Sequence, residues 1–436
     1  MIKLKCVAML FCLAVAIVGC DDDDDSVSSA GTETYSSEMV VKWLNIQARM
    51  LRVPLPAGVG TQAADRAQAY SGIALYEAVV QGMPTHHTLA GQLTDFPAMP
   101  EIESGVLYHW AVSGNAALAE INRLLFPTAS VTNKASVDSL ETALQSAFAT
   151  DIDAETMQRS IDYGKLVASK VYDWAASDGS GNTNPPYVPS GAAGTWVSTP
   201  PNFPPAVNPY ASQRRLLVPG VATGTTLSPP PAYSAMAGSE FYNMVKDVYD
   251  KSLVLTPDQT AMALYHRDAP GYPGGGHFVP ILAQVLSKAL PALDVAAIAY
   301  AKVGIAQGDA TVVCFTYKYS FNQVRPITYI RNEMGHATWN ALFNTPGHPE
   351  FPAAHATISS AVAEALTDVF GDNFAFTLNT YAYLGLPNRS YTSFRTMSKE
   401  MADSRVFGGI HYQASCDKGR ELGKKVAENV LSTVDF

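Results

Sequence analysis

Three short segments in the last third of the chain gather cationic and histidine side chains that suit a single oxyanion. The first runs from Lys318 to Arg325 and is followed by Pro326. The seven-residue spacing predicts Lys318 and Arg325 two turns apart on one face of a helix that Pro326 ends. Arginine offers a planar fork of donors and lysine a point charge, and both suit phosphate-like oxygens. The segment therefore predicts an anion site.

The other two segments add histidines to these cations. Pro352 precedes a helix predicted to begin near His355, and the unpaired N–H groups of a first helical turn attract anions. A histidine at that point can exchange protons with a bound oxyanion. Further on, Arg405 and His411 lie on a helix predicted over 404–430. Together the segments predict one site that binds an oxyanion and moves protons.

The order Lys-x6-Arg-Pro, Pro-x-x-His and Ser-Arg-x5-His resembles the shared site of vanadium-dependent haloperoxidases and type 2 phosphatidic acid phosphatases. Upstream stretches resemble bacterial haloperoxidase-like proteins too, so the resemblance covers the chain from about Val41 onwards and favours the haloperoxidase branch. These stretches are 64–78, 194–196 and 265–277.

The resemblance implies a role for each residue of the site. His411 would bind vanadium axially, His355 would be the acid–base group that handles peroxide, and the backbone N–H of Ala354 would meet an oxygen. Phosphate could occupy the same site, in which case His411 would be a nucleophile and His355 the leaving-group acid. The cations that would neutralise the equatorial oxygens are Lys318, Arg325 and Arg405.

Four positions bear further on the chemistry. His348 lies seven residues before His355, where the family places a residue beside the halide site: bromoperoxidases tend to have His there and chloroperoxidases an aromatic residue. A surface-loop role for His348 stays open. Three positions depart from the family pattern. Ala353 replaces a serine, Ala354 replaces a glycine, and Ser415 replaces an aspartate that would orient the Arg/His pair.

The favoured function is a haloperoxidase-like oxidoreductase that uses peroxide to oxidise halide, bromide or iodide rather than chloride, with vanadate as cofactor. Two alternatives remain at this stage. The same site could hydrolyse a phosphate ester, or the protein could be a non-catalytic surface lipoprotein that binds a ligand.

Apolar residues recur at helical spacing, which predicts an all-α helical bundle. Residues 177–234 differ, because they are rich in Pro, Gly, Ser, Thr and Asn yet contain several aromatic residues. We therefore expect an irregular segment wrapped over the bundle rather than a linker. The predicted helices are 38–51, 63–80, 106–125, 154–176, 240–251, 258–266, 278–286, 295–322, 355–370, 391–402 and 404–430.

The N-terminus predicts export and a lipid anchor. Basic residues, an apolar run and Gly19-Cys20 fit a lipoprotein signal peptide over 1–19, with lipid on Cys20. Five aspartates follow, which predicts an acidic flexible tether over 20–37 and a single domain over 38–436. The expected location is the cell envelope, attached to the membrane only through lipid.

Charge and cysteine content narrow the partners. The net charge is −10, and it becomes −12 once Lys3 and Lys5 leave with the signal peptide. Such acidity argues against nucleic acid as a partner, because phosphate backbones require basic stripes. Beyond the signal region only Cys314 and Cys416 remain, and the sequence leaves open whether they pair.

Overall fold

The chain forms a helical bundle with one small β-hairpin, and the computed structural model describes residues 29–55, 63–268 and 270–436. Over these residues the only paired strands are β1 (Phe376–Leu378) and β2 (Arg389–Tyr391), which run antiparallel. The all-α class predicted from periodicity is confirmed. The helices are α1 (Glu38–Met50), α2 (Ala63–Val79), α3 (Trp110–Leu125), α4 (Val131–Phe148), α5 (Ala154–Ala176), α6 (Glu240–Ser252), α7 (Pro257–Tyr265), α8 (Phe278–Ala289), α9 (Leu293–Phe321), α10 (Pro326–Asn332), α11 (Ala354–Phe370), α12 (Phe394–Phe407) and α13 (Gln413–Thr433).

Helix α9 is the centre of the bundle and packs against α2, α11 and α13. Glycines allow the backbones to approach closely. A Cβ on Gly304 of α9 would lie 2.5 Å from the carbonyl oxygen of Gln68 on α2, and a Cβ on Gly419 of α13 would lie 2.7 Å from that of Ala353. A carbon atom cannot stand so close to an oxygen, so these positions require glycine. The second contact fixes the start of α11, where His355 lies.

The segment 177–234 has one short 3-10 helix, Ala211–Gln213, along its fully described length. Elsewhere its backbone is held by the helices. The N–H groups of Leu217 and Val218 donate to the buried carboxylate of Asp309 on α9, at 2.6 and 3.0 Å. The N–H of Trp196 donates to the carbonyl of Asn322 at 2.8 Å, and the Trp196 side chain is buried. The segment is thus ordered by anchors on α9 and its end, together with local turns closed by its own backbone hydrogen bonds.

The prediction of one helix through Lys318 that Pro326 ends is wrong. Helix α9 ends at Phe321, and Asn322 adopts a left-handed φ of 48°. Arg325 is extended, with φ −77° and ψ 151°, and Pro326 begins α10, because a proline is favoured in a first turn where its missing N–H costs nothing. Lys318 and Arg325 therefore do not share a helix face.

The helix predicted over 404–430 is two helices. Helix α12 ends at Phe407, and the chain turns through Gly408 and Gly409 before α13. Gly409 has φ +76°, a conformation that favours glycine. His411 therefore lies in the turn and not on a helix. Three other differences are smaller. Helix α4 was not predicted, since few of its side chains are buried, and α3 begins at Trp110 rather than at 106. The helix predicted from residue 391 begins later, because residue 391 ends β2 and Ser393 caps α12.

The N-terminal predictions fall mostly outside the described residues, which exclude the signal peptide, Cys20 and the aspartate run. The tether predicted over 20–37 is wrong for its last part. Thr32 is fully buried and donates to the carbonyl of Gly82, and the N–H of Ser37 donates to that of Pro291. These contacts place 32–37 on the folded body. In the described part of the chain, no helix is both long and apolar enough to cross a bilayer.

Candidate active site

The predicted site residues come together around one cavity of about 280 Å³. Five of them line it: His348, Ala354, His355, Arg405 and His411. Lys318 and Arg325 are fully buried and do not line it. They lie behind the wall formed by the loop 346–350. The three segments of the sequence therefore converge, although two of the three cations act from beneath the surface of the cavity.

His411 is held as a neutral imidazole with a defined tautomer. Its Nδ1 lies 2.8 Å from Oε1 of Glu350, and its Nε2 lies 3.1 Å from Nη1 of Arg325. An arginine can only donate, so Nε2 accepts and the proton is on Nδ1. Burial and the charges of Arg325, Lys318 and Arg405 hold the pKa of His411 well below its usual value. Nε2 thus keeps a lone pair at neutral pH, as a metal-binding imidazole requires.

Glu350 supplies the acidic partner of His411 that the sequence analysis missed. Its carboxylate is fully buried and also accepts the N–H of Tyr412 at 2.9 Å. Burial raises its pKa to about 7, against the opposing effect of Lys318 and Arg325. The aspartate expected four residues after His411 is absent, but its function of orienting the histidine falls to Glu350. Glu350 lies only two positions before Pro352 of the second motif, but its pairing with His411 could not be seen from that spacing.

His355 stands at the start of α11, which has no side-chain cap at Ala353. The first-turn N–H groups, including that of Ala354, are therefore left for another acceptor. The Nε2 of His355 lies 2.8 Å from Oδ1 of Asp268, so Nδ1 is the nitrogen left for proton exchange. Burial and the charge of Arg405 lower the pKa of His355.

Asp268, the partner of His355, was also missed by the sequence analysis. It follows α7 with a left-handed φ of +70°, an uncommon conformation for a residue with a side chain. Burial alone would raise the pKa of this carboxyl, but the charges of His355, His277 and Arg405 outweigh it and lower the pKa to about 2. Asp268 is 87 positions before His355, so no motif spacing joins them.

Lys318 and Arg325 support the loop 346–350 as well as supplying charge. The ammonium of Lys318 donates to the carbonyls of Pro349 and Glu350, at 2.8 and 3.0 Å, and Nε of Arg325 donates to that of His348 at 2.8 Å. Burial, together with the neighbouring charge of Arg325, lowers the pKa of Lys318 to about 7. Both cations therefore lie directly behind the histidines of the cavity.

His348 is not a surface-loop residue. Its side chain is 8 % exposed, and its Nδ1 accepts from Nη2 of Arg325 at 2.9 Å. The ring meets Phe315 edge to face at 5.1 Å between centroids. Burial and the charges of Lys318 and Arg325 hold its pKa well below the usual value, so it is neutral at pH 7. It presents a neutral imidazole to the cavity.

Of the three predicted cations, Arg405 is the one that lines the cavity. It is 1 % exposed and donates from Nη1 to the carbonyl of His266, and its guanidinium lies over the ring of Phe343 at 5.1 Å. Its Nε has no hydrogen-bond partner among the described residues. Buried polar groups are nearly always paired, so this donor at the cavity wall is free to bind an oxygen of an anion. The uncapped start of α11 offers further donors of the same kind.

The two remaining cysteines are free. Cys314 on α9 and Cys416 on α13 are both fully buried, and Sγ of Cys314 lies 3.9 Å from the carbonyl oxygen of Pro352. Cys416 packs instead with small apolar residues that include Ala353. They fill space beside the start of α11 and do not face the cavity.

The chain is similar to known proteins both in its C-terminal part and in its overall fold. Residues 299–435 match the model of a family described as the VCPO second helical-bundle domain. The crystal structure of a bacterial vanadium-dependent iodoperoxidase superposes with a TM-score of 0.82 at 28 % identity, covering 92 % of this chain and 97 % of that one. Holo and apo structures of a bacterial vanadium-dependent chloroperoxidase share the fold at 16 % identity, with TM-scores of 0.62 and 0.64, covering 90 % and 93 % of this chain and 97 % and 100 % of theirs. No curated protein sequence matches the chain.

These likenesses and the motifs define a class. Residues 299–435 match the VCPO second helical-bundle domain, and the chain as a whole has the fold of bacterial vanadium-dependent haloperoxidases. The protein is a haloperoxidase-like enzyme. Its membership of a lipoprotein branch stays a prediction.

Proposed function

We propose that this enzyme binds vanadate in the cavity and uses peroxide to oxidise halide, with bromide or iodide preferred. The observation that carries the proposal is the state of His411: neutral, with Nδ1–H donated to Glu350 and an Nε2 lone pair that accepts from Arg325, a bond that a ligated oxyanion would replace. That arrangement suits a histidine that ligates an electrophilic centre beside a cation. The relative with 28 % identity is itself a vanadium-dependent iodoperoxidase.

The residues around His411 Nε2 fit a tetrahedral oxyanion. Arg405 has an unpaired Nε, and α11 begins without a cap, so donors stand ready for oxygens. Arg325 already reaches Nε2, and Lys318 adds charge from behind the loop. Vanadate, when bound, would supply a Lewis acid of constant oxidation state that polarises peroxide toward attack by halide.

The protein itself would manage protons and water. His355 would accept a proton from incoming peroxide at Nδ1 and return it to the leaving oxygen, while Asp268 holds Nε2 and stabilises the cationic form of the ring. The low pKa of Asp268 keeps that carboxylate charged throughout the working pH range. The apolar side chains of Phe315 and Ile358, which also line the cavity, would limit the access of bulk water.

The second candidate is a phosphatase, because phosphate has the shape and charge that the same donors recognise. In that case His411 would attack phosphorus through Nε2 and carry the phosphoryl group. A non-catalytic surface lipoprotein is disfavoured by the likeness to enzymes throughout the chain. What His411 does therefore distinguishes the two enzymatic candidates.

Halide oxidation assayed with and without added vanadate tests the proposal. His411→Ala should abolish vanadate binding and peroxide-dependent halide oxidation, while His355→Ala should keep vanadate and lose about 10²–10⁴-fold in rate. His336→Ala is a matched control, since His336 stacks on Tyr249 away from the cavity. Trapped phosphohistidine at His411, with no halide oxidation at saturating vanadate, would favour the phosphatase.

Halide preference is assigned to His348, which lines the cavity as a neutral imidazole. His348→Phe should change the ratio of bromide to chloride oxidation, because it removes the polar group nearest the proposed halide position. Vanadate affinity should change little, since Arg325 keeps its contacts to three carbonyls. Equal halide ratios in both proteins would remove His348 from this role.

We also propose that lipid on Cys20 anchors the enzyme in the cell envelope, as the Gly19-Cys20 signal predicts. Fractionation of cells expressing Cys20→Ala tests this. The variant should appear in the soluble fraction or unprocessed, and recovery of its mature form with membranes would refute the anchor.

A further inference from the structure

Three side chains of metal-ligand type converge next to the proposed oxyanion site. Asp268, His277 and His355 each present one donor atom within 4.8 Å of the other two. Oδ1 of Asp268 lies 2.8 Å from Nε2 of His355 and 3.6 Å from Nδ1 of His277. The two imidazole rings are nearly parallel, at 22°, with centroids 5.7 Å apart. The cluster therefore has two nitrogens and one carboxylate oxygen directed at one small volume.

His277 is the member of this cluster that the proposed chemistry does not use. Its side chain is 6 % exposed, and neither ring nitrogen has a hydrogen-bond partner among the described residues. It stands at the start of α8, with Phe278 against its ring at 4.2 Å. A buried imidazole with both nitrogens unpaired is exceptional, since buried polar groups are normally satisfied. Its Nδ1 is the nitrogen directed at Asp268.

We infer that Asp268, His277 and His355 form a binding site for a divalent transition metal of the zinc type. Two imidazoles and one carboxylate suit Zn²⁺ or Co²⁺, whereas Mg²⁺ and Ca²⁺ prefer oxygen ligands throughout. Tetrahedral bonds of about 2.0–2.1 Å place ligand atoms about 3.3 Å apart. The two separations from Asp268 lie within about half an ångström of that value, one on either side. The two imidazole nitrogens, which lie within 4.8 Å of each other, would adjust by rotation of the His277 ring.

The surroundings set the strength and openness of the site. Asp268 supplies one negative charge to the site. The positive charge of Arg405 lowers the pKa of all three groups and would repel a bound cation. The site should therefore bind zinc more weakly than a closed structural site with four protein ligands. Asp268 and His355 also line the cavity, which leaves room for water as the fourth ligand.

Metal binding at this cluster and acid–base chemistry at His355 exclude one another, a consequence that rests on the proposed function. The ion would take Nε2 of His355, the nitrogen now bonded to Asp268. The imidazole could then no longer cycle between its neutral and cationic forms, and Asp268 could no longer stabilise the cation. Zinc should thus be a reversible inhibitor that leaves the oxyanion-binding residues in place.

Binding is tested on the full folded chain after treatment with a chelator to remove metal. Zn²⁺ is titrated in competition with a chromophoric chelator, and Co²⁺ is followed by its visible absorption. Wild type should bind one ion per chain, and His277→Phe, which keeps the ring volume, should lower the affinity at least tenfold. His336→Phe makes the same substitution on the ring that stacks against Tyr249, and it should bind like wild type. His277→Gln replaces His277→Phe if that variant does not fold.

A measurement of activity then tests whether zinc inhibits the enzyme. Zinc should inhibit halide oxidation by wild type, a chelator should restore it, and His277→Phe should resist inhibition. The binding titration stands on its own if no halide oxidation is found, so the two proposals fail separately. The absence of stoichiometric binding, or identical cobalt spectra in wild type and His277→Phe, would overturn the metal site.

Discussion

Glu350 connects the histidine, the lysine and the backbone of the site through its hydrogen bonds. Its carboxylate accepts from Nδ1 of His411 and from the N–H of Tyr412, and its carbonyl oxygen accepts from Lys318. The hydroxyl of Ser415 donates to the same carbonyl at 3.4 Å. A single loop residue thus fixes the tautomer of the histidine and the position of a cation, which is why its charge should influence affinity.

Glu350→Gln should lower vanadate affinity about 10–100-fold, the usual cost of removing a carboxylate that orients a metal-binding histidine. The amide keeps the shape of the side chain but makes His411 a weaker donor of its lone pair, and it buries an NH₂ group where Oε2 now lies unpaired. Vanadate titration measures the effect.

Glu77→Gln is the matched control for this prediction, because Glu77 is also buried but bonds to Thr88 and Leu89 outside the cavity. It should bind vanadate like wild type. An unchanged affinity in Glu350→Gln would mean that hydrogen-bond geometry alone, without the charge, orients His411.

What the sequence could reveal at this scale was limited by separation along the chain. Lys318, His355 and Arg405 belong to motifs whose spacing is visible, and those motifs predicted where an anion would bind. The pairing of Asp268 with His355 spans 87 positions, and that of Glu350 with His411 spans 61. Contacts at such distances depend on how helices pack, and one sequence without homologues carries no signal for them.

At the scale of elements, apolar periodicity located most helices but not the turns that position the side chains of the candidate site. The pattern continues through 404–430, so it predicted a single helix where α12 and α13 are separated by a turn. The break depends on Gly408 and Gly409, which pack against Phe343 and Trp339. Those contacts are tertiary and override local helix propensity. As a result, His411 is displayed by a turn, where its ring can reach both Glu350 and the cavity.

Gly409→Ala should therefore disturb both the fold and the site. The residue has φ +76°, and an added Cβ would meet the Trp339 ring at 3.1 Å and Cα of Ala341 at 3.3 Å. The left-handed conformation alone costs about 1–2 kcal/mol for an L residue, and the crowding adds to it. We expect a loss of about 2–3 kcal/mol in the free energy of unfolding, measured in urea, together with weaker vanadate binding.

Gly385→Ala separates backbone strain from displacement of the site. Gly385 has a similar φ of +73°, but a Cβ there would meet nothing within 4 Å. This control should lose about 1–2 kcal/mol and bind vanadate normally. If Gly409→Ala keeps full vanadate affinity while losing stability, the turn does not position His411.

The whole molecule contains buried acids remote from the site whose protonation couples folding to pH. Burial raises the pKa of Glu77 to about 7, although hydrogen bonds from Leu89 and Thr88 oppose the shift. Burial likewise raises the pKa of Asp309, under the segment 177–234, to about 7. The ordinary values are 4.5 and 3.8, so folding takes up protons between those values and about 7. For a carboxyl with a raised pKa, stability is highest below the unfolded value and is lost as pH rises toward the folded one.

Glu77→Gln isolates this effect, since glutamine mimics the protonated acid. The stability that Glu77 contributes to wild type should fall by on the order of 2–3 kcal/mol between pH 5 and pH 8. The difference in the free energy of unfolding between wild type and Glu77→Gln should change by that amount, which urea unfolding at both pH values measures. Parallel pH dependence in the two proteins would show that Glu77 is ionised in the fold at pH 5.

The irregular segment 177–234 has an implication for how such enzymes can diversify. Pro200, Pro204 and Val207 of this segment line the cavity together with His355 and His411. The part of the lining that this segment contributes is thus encoded separately from the motifs that carry the two histidines. Substitutions in the loop between the anchors at Trp196 and Leu217 could therefore change the shape of the cavity. The helices and turns that carry the two histidines would keep their positions.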